Sequence, residues 1–176
     1  MAFLLVAILA AIVAAVLTAA ALGPATITLE RGIDIKAPPE RIFPLIDDFR
    51  RWPEWPTDNE EGKVIRTFGP ISSGKGATSQ WTGSGSTGSG RMEITESIPP
   101  SHVTVVVDFR KPFAAHNIND FTLERRDDST RVTWSWHGQN VFVLRVMSLF
   151  TSADRMMGSH FESGLQALKR RAESSP

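Results

Sequence analysis

The feature that most constrains the fold is an alternation of apolar and polar residues between positions 63 and 139. In the segment HVTVVVDFR, the side chains of Val103, Val105, Val107 and Phe109 share one phase, and mostly polar residues take the other. Successive side chains of a strand point to opposite faces, so this pattern buries one face and leaves the other in water. The same phase recurs in GRMEITESI, NDFTLER and RVTWSWHG, which predicts an antiparallel sheet with one covered face.

Turn residues divide this region into six predicted strands at 63–69, 76–83, 88–98, 102–111, 116–126 and 130–138. A further strand is expected in TITLERGIDIK, residues 26–36, where Gly32 leaves an interruption open. Between them, APPERIFPLIDDF predicts a short amphipathic helix that Pro44 bends or confines to about two turns.

The end of the chain changes to helical periodicity. One apolar stripe follows the spacing of a long helix: Val146, Leu149, Phe150, Ala153, Met157, Phe161, Leu165 and Leu168. A helix with such a stripe must cover it, and the one-sided sheet is the available partner. We therefore predict an α+β fold in which a curved antiparallel sheet of about seven strands wraps around a long C-terminal helix.

Residues 2–22 form an uncharged, apolar run. As a helix it would measure about 31 Å, which matches the hydrocarbon core of a bilayer. Its length and the lack of a preceding Lys or Arg favour a retained transmembrane anchor, while the small residues Ala19–Ala21 leave a cleaved signal peptide open. The predicted domains are this anchor or signal at 1–23 and a folded domain at 24–176.

With this anchor, the chain is expected to be a single-pass membrane protein. Arg31, Lys36 and Arg41 lie soon after the apolar run, so the positive-inside rule favours a cytoplasmic domain, with the outward orientation left open.

Charge and composition exclude several classes of function. Lys plus Arg balance Asp plus Glu at 19 each, and no long basic run exists, so no nucleic-acid partner is expected. The chain has no Cys, and its four His residues show no metal-ligand spacing, so neither thiol chemistry nor a metal site is expected. There is also no G-x-S-x-G motif of a hydrolase.

Two glycine motifs resemble nucleotide-binding loops but lack the context that such loops need. Gly83, Gly85 and Gly88 match G-x-G-x-x-G, yet a strand follows them where a dinucleotide site requires a helix. The segment 69–75 matches G-x-x-x-x-G-K but is followed by Gly76 in place of Ser or Thr. We interpret both segments as loops between strands and expect no cofactor.

Large apolar side chains in the inward phase are many for a small domain, and they fit either an ordinary core or the wall of a cavity. They are Trp55, Trp81, Met92, Phe109, Phe113, Phe121, Trp134, Trp136, Met156, Met157 and Phe161. Together with Gly158 and Gly164 in the last helix, they suggest a cavity. Three polar residues, Glu96, Asn117 and Asn119, share the inward phase, which indicates a wet cavity, a ligand, or a bulge that turns them outward.

Several segments resemble the START-like helix-grip (SRPBCC) superfamily, in its polyketide cyclase/dehydrase-like branch. They are IDIKAPPERIFPLIDDFRRWPEW, GRMEITESIPPSHV, KPF, TRVTWSWHG and MMGSHFESGLQALKRRAE, and the resemblance covers about residues 27–173. It implies a deep cavity between sheet and C-terminal helix that binds hydrophobic ligands. The family's wall positions then fall on Trp81, Met92, Phe109, Phe121, Trp134, Trp136, Met157 and Phe161.

These observations favour a membrane-anchored, non-enzymatic domain that holds a lipid or other hydrophobic small molecule. An enzyme of cyclase or dehydratase type is the first alternative, with Glu96 or the pair Asn117 and Asn119 positioning the substrate. A ligand-free interaction module, in the manner of chaperone-activating relatives, is the second.

Overall fold

The alternating segments form one antiparallel sheet in the computed structural model, which describes residues 2–56, 64–84, 87–140, 145–146 and 151–174. In chain order the elements are α1 (Ala2–Leu22), β1 (Thr26–Ile35), α2 (Pro39–Asp47), a 3-10 helix (Phe49–Glu54), β2 (Ile65–Phe68), β3 (Thr78–Thr82), β4 (Ser89–Ile98), β5 (His102–Lys111), β6 (Ala115–Arg126), β7 (Ser129–Gln139) and α3 (Ala153–Ser174).

The sheet has the strand order β1-β7-β6-β5-β4-β3-β2. Consecutive strands from β2 to β7 pair as hairpins, because their short connections allow only antiparallel neighbours. The first strand then closes the far edge by pairing with the last. It runs without a break, with Gly32 opposite Thr133, so the interruption left open at this glycine does not occur.

The glycine-rich segments are inter-strand connections, as predicted. The segment that contains Gly83 and Gly88 joins β3 to β4, and the amide of Gly83 donates to the Gly88 carbonyl at 2.7 Å. Gly85 lies outside the described residues. The segment 69–75 joins β2 to β3.

The C-terminal helix lies against the inner face of the sheet through the predicted stripe. Phe161, Leu165 and Leu168 are buried, and Met157 packs against the core. The helix begins later than predicted, at Ala153, where the Ser152 hydroxyl accepts from the Arg155 amide at 3.2 Å. Val146 precedes the helix, and Leu149 and Phe150 lie outside the described residues.

Polar contacts hold α3 along β1. The Lys169 ammonium donates to the Asp34 carbonyl at 2.5 Å, and the Lys36 amide donates to Glu173 at 2.7 Å. The second bond holds the pKa of Glu173 below its usual range, because the Lys36 amide stabilises the carboxylate. Nearer the start of the helix, Arg31 pairs with Glu162 at 3.0 Å and with Asp154. These contacts run in the same order on both elements, so α3 is parallel to β1 and its first turn lies where β1 begins.

The N-terminal helix is long and apolar. Residues Phe3–Leu22 have a mean hydropathy of 2.9, and only 6% of the segment is buried against the rest of the chain. By length and composition this helix suits either a membrane span or a signal sequence.

The end of α2 offers a test of pH dependence. Asp47 accepts a hydrogen bond from the Ser97 hydroxyl at 2.7 Å, but burial raises the pKa of its carboxyl above the ordinary value. The native state therefore holds this proton more tightly than the unfolded state, and stability declines as pH rises through the raised pKa. We expect Asp47→Asn to increase the free energy of unfolding at neutral pH, by less than about 1 kcal/mol because the group is partly exposed.

Denaturant titrations of both proteins at a series of pH values check this. The stability gain should vanish at a pH below the ordinary carboxyl range, where both residues are neutral. A gain that is the same at acid and neutral pH would contradict the assignment to the Asp47 charge.

Candidate functional site

One end of the interior is a closely packed aromatic cluster. The ring of Trp134 lies 4.9 Å from Phe121, 4.5 Å from Phe161 and 6.3 Å from Trp55. Its indole N–H donates to the Asn119 side-chain oxygen at 2.8 Å. These residues form a solid core, and the inward polar group of Asn119 is accounted for by the indole.

A second aromatic pair lies on the same inner face, toward the β2 edge of the sheet. The rings of Trp81 and Phe109 meet edge to face at 5.1 Å, and the Trp81 indole donates to the Thr87 carbonyl at 3.1 Å. The indole covers Gly90, where an added Cβ would lie 2.2 Å from its Cη2 atom. Only a residue without a side chain permits this position of the ring.

Trp136 is arranged in the same way on β7. A Cβ at Gly138 would lie 2.1 Å from its Cη2 atom and 2.8 Å from the Asn117 side-chain oxygen. The Trp136 ring lies 6.5 Å from Phe161. The two indoles that lie over glycines thus stand on either side of the inner face.

Between these two walls the floor consists of one amide, one valine and one methionine side chain, with Gly138 beside the amide. Asn117 pairs with Gly138 on one side and with Val107 on the other, and Met92 follows opposite Val107. Asn117 is buried, yet among the described residues its carboxamide has no hydrogen-bond partner. The enclosed side-chain polar atoms without a partner in the described residues are Ser79 Oγ and Asn140 Oδ1, so the Asn117 amide keeps access to solvent and can bond a ligand in place of water.

The inner face becomes more accessible toward one end of the sheet. On β5, Val103 and Val105 have 0% exposure, Val107 has 8%, and Phe109 is only partly buried. On the neighbouring strands the difference is only a few per cent: Ile94, Phe121 and Val132 have 0% exposure, and Met92, Asn117 and Trp136 have 6%, 5% and 8%, close to the 6% of Asn119 and Trp134. This end is where β1 begins and α3 starts, and we call it the open end. Met157, in the first turns of α3, lies toward it.

The structure corrects the orientation expected for Glu96. The pairing of β4 with β5 shifts between Ile94 and Glu96, so Glu96 lies opposite Thr104 on the outer face. Its side chain is 55% exposed and lies 3.6 Å from the His102 ring. Of the three possibilities for the inward polar residues, the bulge therefore applies to Glu96.

Two further expectations change. Phe113 was expected inside, but it is 57% exposed in the turn between β5 and β6, where the strand phase ends. Gly158 was expected to leave space for a ligand, but its backbone faces the Arg31 guanidinium, which a Cβ would meet at 2.8 Å. The Met156 side chain lies outside what the structure describes.

The histidines on the outer face agree with their predicted phase. His102 and His137 flank Asp120 at 3.6 and 3.8 Å. Within the described part of the chain, no three His, Asp or Glu residues are grouped as a metal site would require.

A cleft of about 430 Å³ lies outside this interior, between β1 and α3. It is lined by Arg31, Gly32, Ile33, Glu162, Ser163, Leu165 and Gln166. None of the residues predicted for the ligand site is among them, and Arg31 and Glu162 already pair with each other. The cleft is therefore a seam between two elements, separate from the interior site.

Sequence reasoning missed Gly90, Val107 and Gly138 as parts of the site. Each was in the inward phase, next to or opposite a named wall residue. An inward glycine beside a strand tryptophan was the available signal, since a glycine in a strand often marks close approach of another group.

Comparison with known proteins agrees with this architecture. Residues 26–173 match the model of a family described as polyketide cyclase / dehydrase and lipid transport. None of the curated proteins matches the chain.

Three solved structures illustrate the likeness of fold. A protein from Chromobacterium violaceum is 16% identical with a TM-score of 0.60, over 87% of this chain and 100% of that one. The Aha1 dimer from Colwellia psychrerythraea is 20% identical with a TM-score of 0.57, over 84% and 97%. A hypothetical protein from Helicobacter pylori is 10% identical with a TM-score of 0.61, over 84% and 87%.

The match to the family model covers nearly the whole sheet and the C-terminal helix, and the neighbours share their arrangement. The chain therefore belongs to the polyketide cyclase / dehydrase and lipid transport family, within the START-like helix-grip superfamily.

Proposed function

We propose that this protein is a membrane-anchored binding protein for a lipid or another hydrophobic small molecule. The ligand would lie at the open end of the inner face, between the Trp81–Phe109 wall and Trp136. The observation that carries the proposal is the pair of indoles, Trp81 and Trp136, which lie over Gly90 and Gly138 on either side of Asn117, Val107 and Met92.

The chemistry of the residues at this end suits an amphiphile. Aromatic rings and the thioethers of Met92 and Met157 supply an apolar surface that adapts to flexible chains. Asn117 supplies one amide that can both donate to and accept from a hydroxyl or carbonyl group. Family membership supports a hydrophobic ligand in general terms.

The apolar helix α1 supports the membrane part of the proposal. Nearly all of its side chains are exposed, so in water about six turns of apolar surface would remain uncovered. A bilayer would cover that surface. The helix and the folded part would then form the two domains at 1–23 and 24–176.

A binding role is favoured over the cyclase alternative. Glu96, the carboxylate on which that alternative depended, lies on the outer face, and the Asn119 amide is bonded to Trp134. Among the described site residues, Asn117 is then the polar side chain that is left, and a single neutral amide does not provide an acid–base pair. The site geometry therefore supports holding a molecule more than transforming it.

Val107 and its neighbour Val106 provide a matched test. Val107 belongs to the floor of the site, and Val106 is the next residue on the outer face. We expect Val107→Trp to reduce the amount of apolar molecule that the full chain retains several-fold, because the indole fills the space between the walls. Val106→Trp should retain the wild-type amount.

Native mass spectrometry of the full chain, extracted in a mild detergent, measures the retained molecule, and circular dichroism checks folding. If wild type retains nothing beyond detergent, or if both variants retain equally, the binding proposal is wrong.

A further inference from the structure

The turn between β5 and β6, residues Lys111–Ala114, combines features that the binding site does not use. All four residues are exposed, although one of them is Phe113 and the next inward positions are core. We propose that this turn docks on the surface of the bilayer that α1 enters. The proposal rests on the proposed function in one respect, namely that α1 is a membrane anchor.

The exit of α1 is fixed to one end of the sheet. Thr26, the first residue of β1, pairs with Gln139 at the end of β7. The Asn140 amide donates to the Ala25 carbonyl at 2.9 Å, and its side chain donates to the Pro24 carbonyl at 2.8 Å. Arg145 donates to the Ala21 carbonyl at 3.3 Å, at the C-terminal end of the helix. The chain leaves the helix directly into the end of the sheet.

The turn 111–114 lies at the same end. Gly138, beside Gln139, pairs with Asn117, and Ala115 pairs with Phe109. The turn therefore extends past the end of the sheet at which β1 begins. The segment that links α1 to β1 extends past the same end. The sheet order separates β1 from β5 by three strand spacings, or about 14 Å. A bilayer that receives α1 thus lies within reach of the turn.

The chemistry of the turn matches an interface between lipid headgroups and acyl chains. Phe113 is an exposed aromatic side chain, and Arg110 and Lys111 are exposed cations. The neighbouring carboxylate, Asp108, is paired with His116 at 2.7 Å. Cations are attracted to an anionic lipid surface, and an apolar ring adds the burial of its own surface.

The opposite end of the sheet has a different character. The turn between β6 and β7 holds Asp127 and Asp128, both exposed, and the exposed residues Glu124, Arg125 and Arg126 come directly before them. Arg125 pairs with Glu40 and Arg126 with Glu124, so charges of both signs balance one another here. The two ends therefore differ because the turn 111–114 joins an exposed aromatic ring to nearby cations, whereas the β6–β7 turn has charges of both signs and no aromatic ring.

Docking in this way would bring the open end of the ligand site to the bilayer. The exposure of the inner face rises toward the same end that carries the turn. An apolar molecule could then pass between membrane and site without crossing bulk water. Crossing water would cost free energy for each methylene group that becomes exposed.

The absence of Cys from the chain allows a direct test with single labels. Ala114→Cys places a nitrobenzoxadiazole fluorophore beside Phe113 without replacing it. Ala11→Cys in α1 and Asp128→Cys at the opposite end are the positive and negative reference positions. Each full-length variant is reconstituted in vesicles that contain anionic lipid and nitroxide-labelled acyl chains, which quench a fluorophore in the bilayer.

We expect strong quenching at position 11, clear quenching at 114, and at least several-fold less at 128. Adding Phe113→Ser should reduce quenching at 114 several-fold, whereas the matched change Ile98→Ser, which removes an exposed apolar side chain at the other end, should not. Quenching at 11 without quenching at 114 overturns the docking proposal and leaves the anchor in place. A lack of quenching at position 11 shows that α1 does not insert, and it overturns both the docking proposal and the proposed membrane anchor.

Discussion

Replacing Trp134 by Ala should lower the free energy of unfolding by about 3–5 kcal/mol, the range for removing a large buried aromatic side chain. Trp134 is in contact with the rings of Phe121, Phe161 and Trp55, so its removal opens a cavity where strands and α3 meet. The Asn119 oxygen also loses its donor. Because domains have only about 5–15 kcal/mol of stability, this variant should be largely unfolded at moderate denaturant concentration.

Denaturant titration of the full chain in detergent micelles, followed by circular dichroism in the strand region, measures this change. Trp81→Ala is the comparison, because Trp81 has one aromatic neighbour, Phe109, and lies at the open end. It should cost less than half as much. Equal costs for the two variants would contradict the division of the interior into a packed part and an open part.

Adding a single methyl group at Gly138 should decrease ligand retention at least tenfold. The new Cβ would lie 2.1 Å from the Trp136 ring and would force the indole off the sheet, toward the space between the walls. Overpacking of this kind costs about 1–3 kcal/mol of stability, which a folded domain can tolerate. The loss of ligand would therefore exceed the loss of folded protein.

Gly32→Ala is the matched control for this change. Its Cβ would meet the Arg131 guanidinium, the end of a flexible side chain that can move into solvent. Native mass spectrometry should then show wild-type retention for Gly32→Ala and little for Gly138→Ala, with thermal unfolding reporting the folded fraction. Full retention by Gly138→Ala would show that Trp136 does not border the ligand.

Periodicity predicted most of the fold because it depends on which residues are buried. Strands β4 to β7 were predicted within one or two residues, and α3 contacts the sheet through the residues expected. The method failed where the period itself is broken. A bulge before Glu96 reverses the alternation that is correct for Met92, so Glu96 lies on the outer face. The strand that contains Phe109 has ended before Phe113, so the alternation no longer applies to Phe113.

Which part of the interior is packed and which is open could not be predicted from the sequence, for a different reason. Trp134 and Trp136 are two positions apart in the same phase, and nothing local distinguishes them. Their roles differ because Trp134 faces Phe121 and Asn119 on the neighbouring strand, whereas Trp136 has Gly138 and Asn117 beside it. Such neighbours depend on the register between strands, which one chain without an alignment does not reveal.

The hydrogen bonds that Lys169 and Glu173 make to the main chain at the end of β1 affect whether copies of this protein can associate through their sheet edges. An uncovered edge strand recruits other strands and leads to aggregation. Here the helix side chains occupy the Asp34 carbonyl and the Lys36 amide at the end of β1, so these two groups are not offered to a neighbouring copy. The proposed membrane anchoring would confine the protein to two dimensions, where it would meet its own copies far more often than in solution, and the partly covered β1 edge would then limit their pairing through β1.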